Sequence, residues 1–212
     1  MDKKVVLTGS SSGIGRAIAQ LLEANGYHII PFNSRLEDTQ SIEKEAKEIL
    51  ASHDIDVLIN SAGFGMFEPH EELNPSNIAK LIAVNLTAPV ILSNLFLRSL
   101  KKTKGHIINI TSVEATKHSK FSATYTASKA GLRDFSLSLF EEVRKSGVKI
   151  TSINPDITKT PFYDKLKFEP SDNEDTYLLP QTLAKTVLEI LSMDGVVTDI
   201  TIRPQRLEIK KK

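Results

Sequence analysis

Six short apolar runs punctuate the chain: Val5 to Leu7, His28 to Phe32, Val57 to Ile59, His106 to Ile110, Val148 to Ile153 and Val197 to Ile202, with helical periodicity in the segments between them. Hydrophobicity within the runs is continuous rather than alternating, so each strand they form must be covered on both faces. A parallel sheet with helices packed on both sides meets that demand, and the expected fold is a doubly wound α/β domain. At 212 residues, 40% of them hydrophobic, the chain suits one such domain, 1–212, and is short for two enzyme domains. Between Tyr27 and Asn60 only one convincing helix, about Thr39 to Ala51, separates two strands, so one α/β step between strands 2 and 4 is expected to be shortened. The segment Phe162 to Thr176 carries Pro170, Asp172, Asn173, Glu174 and Asp175 and reads as a mobile excursion.

Composition narrows the partners. The 27 basic and 26 acidic residues nearly cancel, which leaves no global field to recruit nucleic acid or an anionic membrane. Lys210 to Lys212 is the one basic run and reads as a frayed, solvated tail. With no cysteine there is no disulfide, thiolate ligand or cysteine nucleophile, and the five histidines show no metal-ligand spacing, so no metal is expected. Val5 to Leu7 is too short for a signal sequence or a membrane span, and a cytoplasmic location is expected. His118 is the histidine to keep in view, as a candidate lining residue of a substrate mouth.

Immediately after the first strand comes Thr8-Gly9-Ser10-Ser11-Ser12-Gly13-Ile14-Gly15, which runs straight into a helical pattern. Strand, glycine-rich turn and helix together aim unpaired backbone N–H groups and a helix N-terminus at a pyrophosphate, and glycine allows the backbone to approach it closely. Gly9, Ser11, Ser12, Gly13, Ile14 and Gly15 are therefore candidate dinucleotide-binding residues; an ordinary tight turn is the competing reading. About twenty residues on, a carboxylate would bind the ribose hydroxyls of NAD, yet Asn33, Ser34 and Arg35 stand there. Arg35 could pair with a 2′-phosphate, which favours NADP over NAD, or could be a solvated charge at a strand end.

Two Tyr-x-x-x-Lys pairs occur, Tyr125/Lys129 and Tyr163/Lys167. The second lies in the polar excursion. The first opens a long helix, to about Lys145, with an apolar stripe of Leu132, Phe135, Leu139 and Val143, so its lysine sits one turn from its tyrosine on the same face. Ser112 lies at the end of the strand before it, where open α/β sheets place ligands. A lysine ammonium about 4 Å from the phenol contributes roughly 4 kcal/mol at an effective dielectric of 20, enough to lower the tyrosine pKa by up to about three pH units. Asn85 interrupts an otherwise apolar stripe of Ile78, Ile82, Leu92 and Phe96, and Pro89 cannot donate the helical hydrogen bond to its carbonyl, so a kink and an open carbonyl are expected there.

In order and spacing, the glycine loop, Asn60-Ser61-Ala62-Gly63, Asn85, Ser112, Tyr125-x-x-x-Lys129 and Asn154-Pro155 make the chain resemble the short-chain dehydrogenase/reductase family from residue 3 to about 203. The resemblance implies a Rossmann-like fold and an oxidoreductase that moves hydride between a nicotinamide cofactor and a small carbonyl or alcohol. Its implied roles are Tyr125 as general acid and base, Ser112 steadying the substrate oxygen, Lys129 tuning Tyr125 and binding the nicotinamide ribose, and Asn85 anchoring a water of a proton relay. It further implies that Asn60, Ser61, Ala62, Gly63, Pro155, Ile157 and Thr160 help hold the cofactor, and that the helices from Pro75 and from Tyr125 pair subunits into a homodimer or homotetramer. The C-terminal part resembles the branch acting on hydroxy acids and small carbonyls. Asp156 stands where the family usually has glycine, adding a negative charge near the cofactor. That departure, with the trimmed adenosine side, supports the alternative of a non-catalytic dinucleotide-binding sensor or scaffold.

Overall fold

Successive side chains of a strand point to opposite faces, so a run such as Val5-Val6-Leu7 must find apolar cover on both. In the computed structural model, which describes residues 3–212, it does. The elements in chain order are β1 (Lys4–Thr8), α1 (Gly13–Ala24), β2 (His28–Phe32), α2 (Thr39–Ser52), β3 (Val57–Asn60), α3 (Pro75–Ile82), α4 (Ala88–Thr103), β4 (His106–Ile110), α5 (Ala123–Val143), β5 (Lys149–Pro155), β6 (Phe168–Pro170), α6 (Pro180–Ser192), β7 (Asp199–Ile202) and β8 (Ile209–Lys211). Six strands pair in parallel in the order β2-β1-β3-β4-β5-β7. Val5, Leu7, Ile59 and Ile108 pack with Ile18 and Leu22 of α1 and Leu183 and Val187 of α6. From the other face Val6, Leu58 and Ile107 meet Ile42 of α2, Leu92 and Phe96 of α4, and Leu139 and Phe140 of α5.

The shortened step is visible as a missing strand. β2 is the border of the sheet, and α2 carries the chain from it directly back to β3 beside β1. Asp38 starts α2, its carboxylate accepting from the Gln40 and Ser41 amides at 3.0 and 3.4 Å and from the Ser41 hydroxyl at 2.6 Å. The helix Pro75–Thr103 is long and apolar enough to cross a membrane, at a mean hydropathy of 1.6. In this fold its C-terminal half instead lays Leu92, Phe96 and Leu100 onto the sheet. It is interrupted by a wider π turn at Ala83–Thr87, which contains Asn85 and precedes Pro89.

Two expectations are corrected. The segment from Phe162 to Thr176 is not a loose excursion, because β6 within it pairs antiparallel with β8, and Lys210 to Lys212 is accordingly not a frayed tail. The polar residues that suggested mobility are the anchors of this pairing: Asp175 takes the Arg206 guanidinium at 2.6 and 2.8 Å, Asp172 takes Lys210 at 3.1 Å, and Asn173 donates to Glu208 at 2.8 Å.

Replacing the cap of α2, Asp38→Ala, is expected to destabilise the fold. Thermal unfolding should show the midpoint falling by roughly 2–4 °C; an unchanged midpoint would mean that the Asp38 bonds carry no stability.

Candidate active site

The carboxyl end of the sheet is tied together by the last residue of β1. The Thr8 hydroxyl oxygen accepts from the Ser61 and Ala62 amides at 3.0 and 3.1 Å, which brings the Asn60-Ser61-Ala62-Gly63 turn against the glycine loop. Gly9 is required at that contact: its φ is +72°, and a Cβ there would lie 2.9 Å from the Ala62 backbone. α1 then begins at Gly13 with no side-chain cap from Ser12 and no acidic residue in its first turn, so its positive end is left for an anion. Ser11 and Ser12 are exposed there, while Gly13 borders a small cleft with Arg16, Lys159 and Thr160.

Beside this loop a cavity of about 830 Å³ opens at the strand ends. Ser112, Tyr125 and Lys129 line it together with Ser61 and Gly63. Ile14 enters from the glycine loop, and Pro155, Ile157 and Thr160 from the segment after β5. Tyr125 and Lys129 are both only 5% exposed. The Lys129 ammonium donates to the carbonyl of Ile110, the last residue of β4, at 3.0 Å. Asn85, fully buried, clamps Phe64 from both sides, its Oδ1 accepting from the Phe64 amide at 3.1 Å and its Nδ2 donating to the Phe64 carbonyl at 2.8 Å. Gly63 covers both groups, since a Cβ on it would come within 3.1 Å of Asn85 Oδ1 and 3.2 Å of Lys129 Nζ.

The residues present fit a dinucleotide. The uncapped α1 terminus suits a pyrophosphate, Lys129 lines the cavity beside it, and the Ser61 hydroxyl is enclosed without a protein partner among the described residues. Other candidates fall elsewhere. Asn60 is buried in the sheet, its amide donating to Asn109 at 2.8 Å, and its side chain does not line the cavity. His118 is exposed and also lies off the cavity wall. The charge of Asp156 is matched: its carboxylate accepts from the Ile157 amide at 2.9 Å and from Arg203 Nε at 2.8 Å.

Three groups that the sequence reading passed over stand at the site. Glu45 of α2 accepts from the Asn33 and Ser34 amides at 2.9 and 2.6 Å, placing a carboxylate at the end of β2, where the local sequence has none. Arg35 is exposed beside it and helps hold the Glu37 and Asp38 carboxyls below their usual range, behind the stronger effect of their own hydrogen bonds. Glu114, 7% exposed, accepts from the Ser119 and Ser122 hydroxyls at 2.8 and 3.0 Å and pairs with Lys117 at 3.3 Å, which fixes the loop between Ser112 and Tyr125. Tyr163 and Lys167, the discounted second pair, both line the cavity.

The expected lowering of the Tyr125 pKa is absent from the protein alone. Burial pushes the phenol up to about 12, with the Ser112 hydroxyl acting in the opposite sense and the Glu114 charge adding to the rise. Burial likewise pushes Lys129 down to about 8. Desolvation dominates both groups because both are enclosed, and the ammonium is bonded to a neutral carbonyl rather than to an opposite charge.

The sequence profile of the family described as short chain dehydrogenase matches residues 36–170. An uncharacterized oxidoreductase of Staphylococcus epidermidis is 31% identical over 96% of this chain and 97% of its own length, and one of Staphylococcus aureus strain MW2 is 30% identical at the same coverage. Among solved structures, the alcohol dehydrogenase of the archaeon Thermococcus sibiricus complexed with 5-hydroxy-NADP superposes with a TM-score of 0.87 at 26% identity, covering 98% of this chain and all of that one. A metagenomic short-chain oxidoreductase in complex with NADP gives 0.79 at 28% identity, covering 96% and 98%. The chain belongs to the short-chain dehydrogenase family and is an oxidoreductase with a Rossmann-like fold.

Lys129 generates a stability test. Its folded pKa lies below the ordinary lysine value of 10.5, so below about pH 8 the fold carries a buried charge at a cost on the order of 3 kcal/mol, which is relieved as pH rises from about 8 towards 10.5. Lys129→Met is therefore expected to raise the unfolding midpoint at pH 7 by roughly 6–12 °C. The gain should shrink at pH 10; a variant less stable at pH 7 would show that the ammonium is well accommodated.

Proposed function

We propose that the protein is an NADP(H)-dependent reductase or dehydrogenase acting on a small carbonyl or alcohol, with Tyr125, Ser112, Lys129 and Asn85 as its machinery. The carrying observation is the convergence of Ser112, Tyr125 and Lys129 on one cavity under Gly63. A bound nicotinamide dinucleotide supplies or accepts the hydride. Tyr125 gives its phenol proton to the substrate oxygen in reduction and takes it back in oxidation, and the Ser112 hydroxyl holds that oxygen. A phenol held near 12 remains protonated throughout the neutral range, as the reducing direction requires. Lys129, mostly protonated below pH 8, steadies the negative charge that develops on Tyr125 once its proton leaves. Asn85 keeps the Gly63-Phe64 turn in place over Lys129 and is the chain's anchor for a proton relay.

For the cofactor, Ser61, Gly63, Ile14, Pro155, Ile157 and Thr160 hold the nicotinamide half, and the glycine loop holds the phosphates. Arg35 carries the NADP preference and Glu45 opposes it. The sensor reading loses its chief support, because Arg203 compensates the charge of Asp156. The sequence-based proposals of a cytoplasmic location and of a homodimer or homotetramer built on the helices from Pro75 and Tyr125 stand with this reading; sedimentation as a strict monomer would overturn the second.

Turnover of ketones and aldehydes should be measurable by absorbance of the reduced nicotinamide. Tyr125→Phe is expected to lower kcat at least ~100-fold while leaving dinucleotide affinity within a few-fold; normal turnover by this variant overturns the assignment. In titrations with both dinucleotides, Arg35→Ala should weaken NADP about tenfold and leave NAD unchanged, whereas Glu45→Gln should tighten NADP. Equal effects on both would place the choice of cofactor elsewhere.

A further inference from the structure

A carboxylate close enough to act on the Tyr125 phenol is out of place in a site that must ionise that phenol. Glu114 nevertheless stands there with only 7% of its surface exposed, and its charge makes the phenol harder to ionise. Both of its oxygens are occupied by the protein itself. Oε1 accepts from the Ser119 hydroxyl at 2.8 Å and faces the Lys117 ammonium at 3.3 Å, while Oε2 accepts from the Ser122 and Thr126 hydroxyls at 3.0 and 3.3 Å.

The backbone of the same residue reaches the other reacting group. The Glu114 amide donates to the Ser112 hydroxyl oxygen at 3.1 Å. An amide can only donate, so the serine oxygen is the acceptor in that bond and its own proton is left for the reacting oxygen. The Ala115 amide, donating to the Ser112 carbonyl at 2.9 Å, closes the turn. On the carboxylate side, Thr126 directly follows Tyr125 in the first turn of α5. That helix starts after Ser122 with no side-chain cap and no acidic residue in its first turn, and Glu114 supplies the negative charge from outside it. One residue thus spans the site, with its amide on Ser112 and its carboxylate on the turn that carries Tyr125.

We propose that Glu114 is a positioning residue of the reaction, holding the Ser112 hydroxyl and the first turn of α5 at a fixed separation so that serine and phenol meet one substrate oxygen. The inference rests on the hydride-transfer reading and adds to its machinery a group that acts only through its neighbours. Although Glu114 borders the cavity, four polar neighbours on two oxygens leave its carboxylate little capacity for a ligand. The pattern of contacts matters here more than the charge. Serine and threonine hydroxyls accept as well as donate, and Ser122 has a second acceptor in the Ser119 carbonyl at 2.8 Å, so a glutamine side chain can keep the loop together.

The test is a double-mutant cycle on ketone reduction. Glu114→Ala should lower kcat roughly 30-fold while KM and the dinucleotide Kd stay within about threefold, since a misplaced group slows the chemical step rather than binding. In a Ser112→Ala background the same substitution should cost less than about twofold more, because the group it positions is already gone. Glu114→Gln should bring kcat back to within about threefold of wild type. A general loosening of the fold would instead repeat the full loss in the Ser112→Ala background; that result overturns the proposal, as does a glutamine variant as slow as the alanine one. Amide exchange over residues 113–122, which needs no turnover, should quicken at least ~10-fold in Glu114→Ala and keep its wild-type rate in Glu114→Gln, and unchanged exchange in the alanine variant also overturns the proposal. If Glu114→Ala does not fold, Ser119→Ala/Thr126→Val, which strips two of the four contacts, takes its place, with an expected loss of about fivefold that again vanishes without Ser112. A Ser112→Ala enzyme that turns over at the wild-type rate would overturn the hydride reading itself, whereas a slow Ser112→Ala beside a normal Glu114→Ala overturns this inference alone.

Discussion

The hydrogen bond from the Lys129 ammonium to the Ile110 carbonyl joins the two halves of the site. It pins the start of α5 to the end of β4, and Ser112 follows Ile110 by two residues, so the phenol and the serine hydroxyl come to face each other by construction. The same ammonium lies under Gly63, which the Thr8 hydroxyl holds against the glycine loop through the neighbouring amides. The glycine loop, the Gly63 turn and the Tyr125/Lys129 pair are therefore registered to one another through two side chains. The cost is a charge kept in a dry place, since burial lowers the Lys129 pKa.

Polar groups continue behind the site. Asn109 of β4 links Asn60 of β3 to Ser136 of α5, at 2.8 Å on each side. On the next strand, Asn154 accepts from Thr111 and donates to Asp199, itself held by Arg133 of α5 at 3.0 Å. These ties run beneath α5 and fix its rotation on the sheet, since each satisfied polar pair excludes neighbouring registers that would orphan a buried group.

Much of this was legible because it is local or periodic. Continuous apolar runs announced a doubly covered parallel sheet, the compressed stretch from Tyr27 to Asn60 announced its missing strand, and Ser112, Tyr125 and Lys129 follow from strand end and helix pitch. The rest depends on partners distant in the chain. β6 and β8 are three residues each, some forty positions apart, and their charged flanks look like solvated loop until Arg206 finds Asp175. Glu45 belongs to the end of β2 only after α2 has folded back over it. The side chain of Asn60 faces Asn109 rather than the cavity, a direction that motif spacing does not encode. Coulomb's law between Tyr125 and Lys129 gave the wrong sign for the resting phenol, since the degree of enclosure enters only with the tertiary structure.

The border strand β2 has a further consequence. With no outer neighbour among the described residues, it offers half of its backbone groups to any extended chain that drifts past. The His28 amide donates inward to Lys3 at 2.9 Å, so by alternation the nitrogen of residue 31 looks outward, and that residue is proline. At the middle of the open rim stands a position with nothing to donate, which guards against uncontrolled strand addition without sacrificing a single bond of the sheet's own ladder.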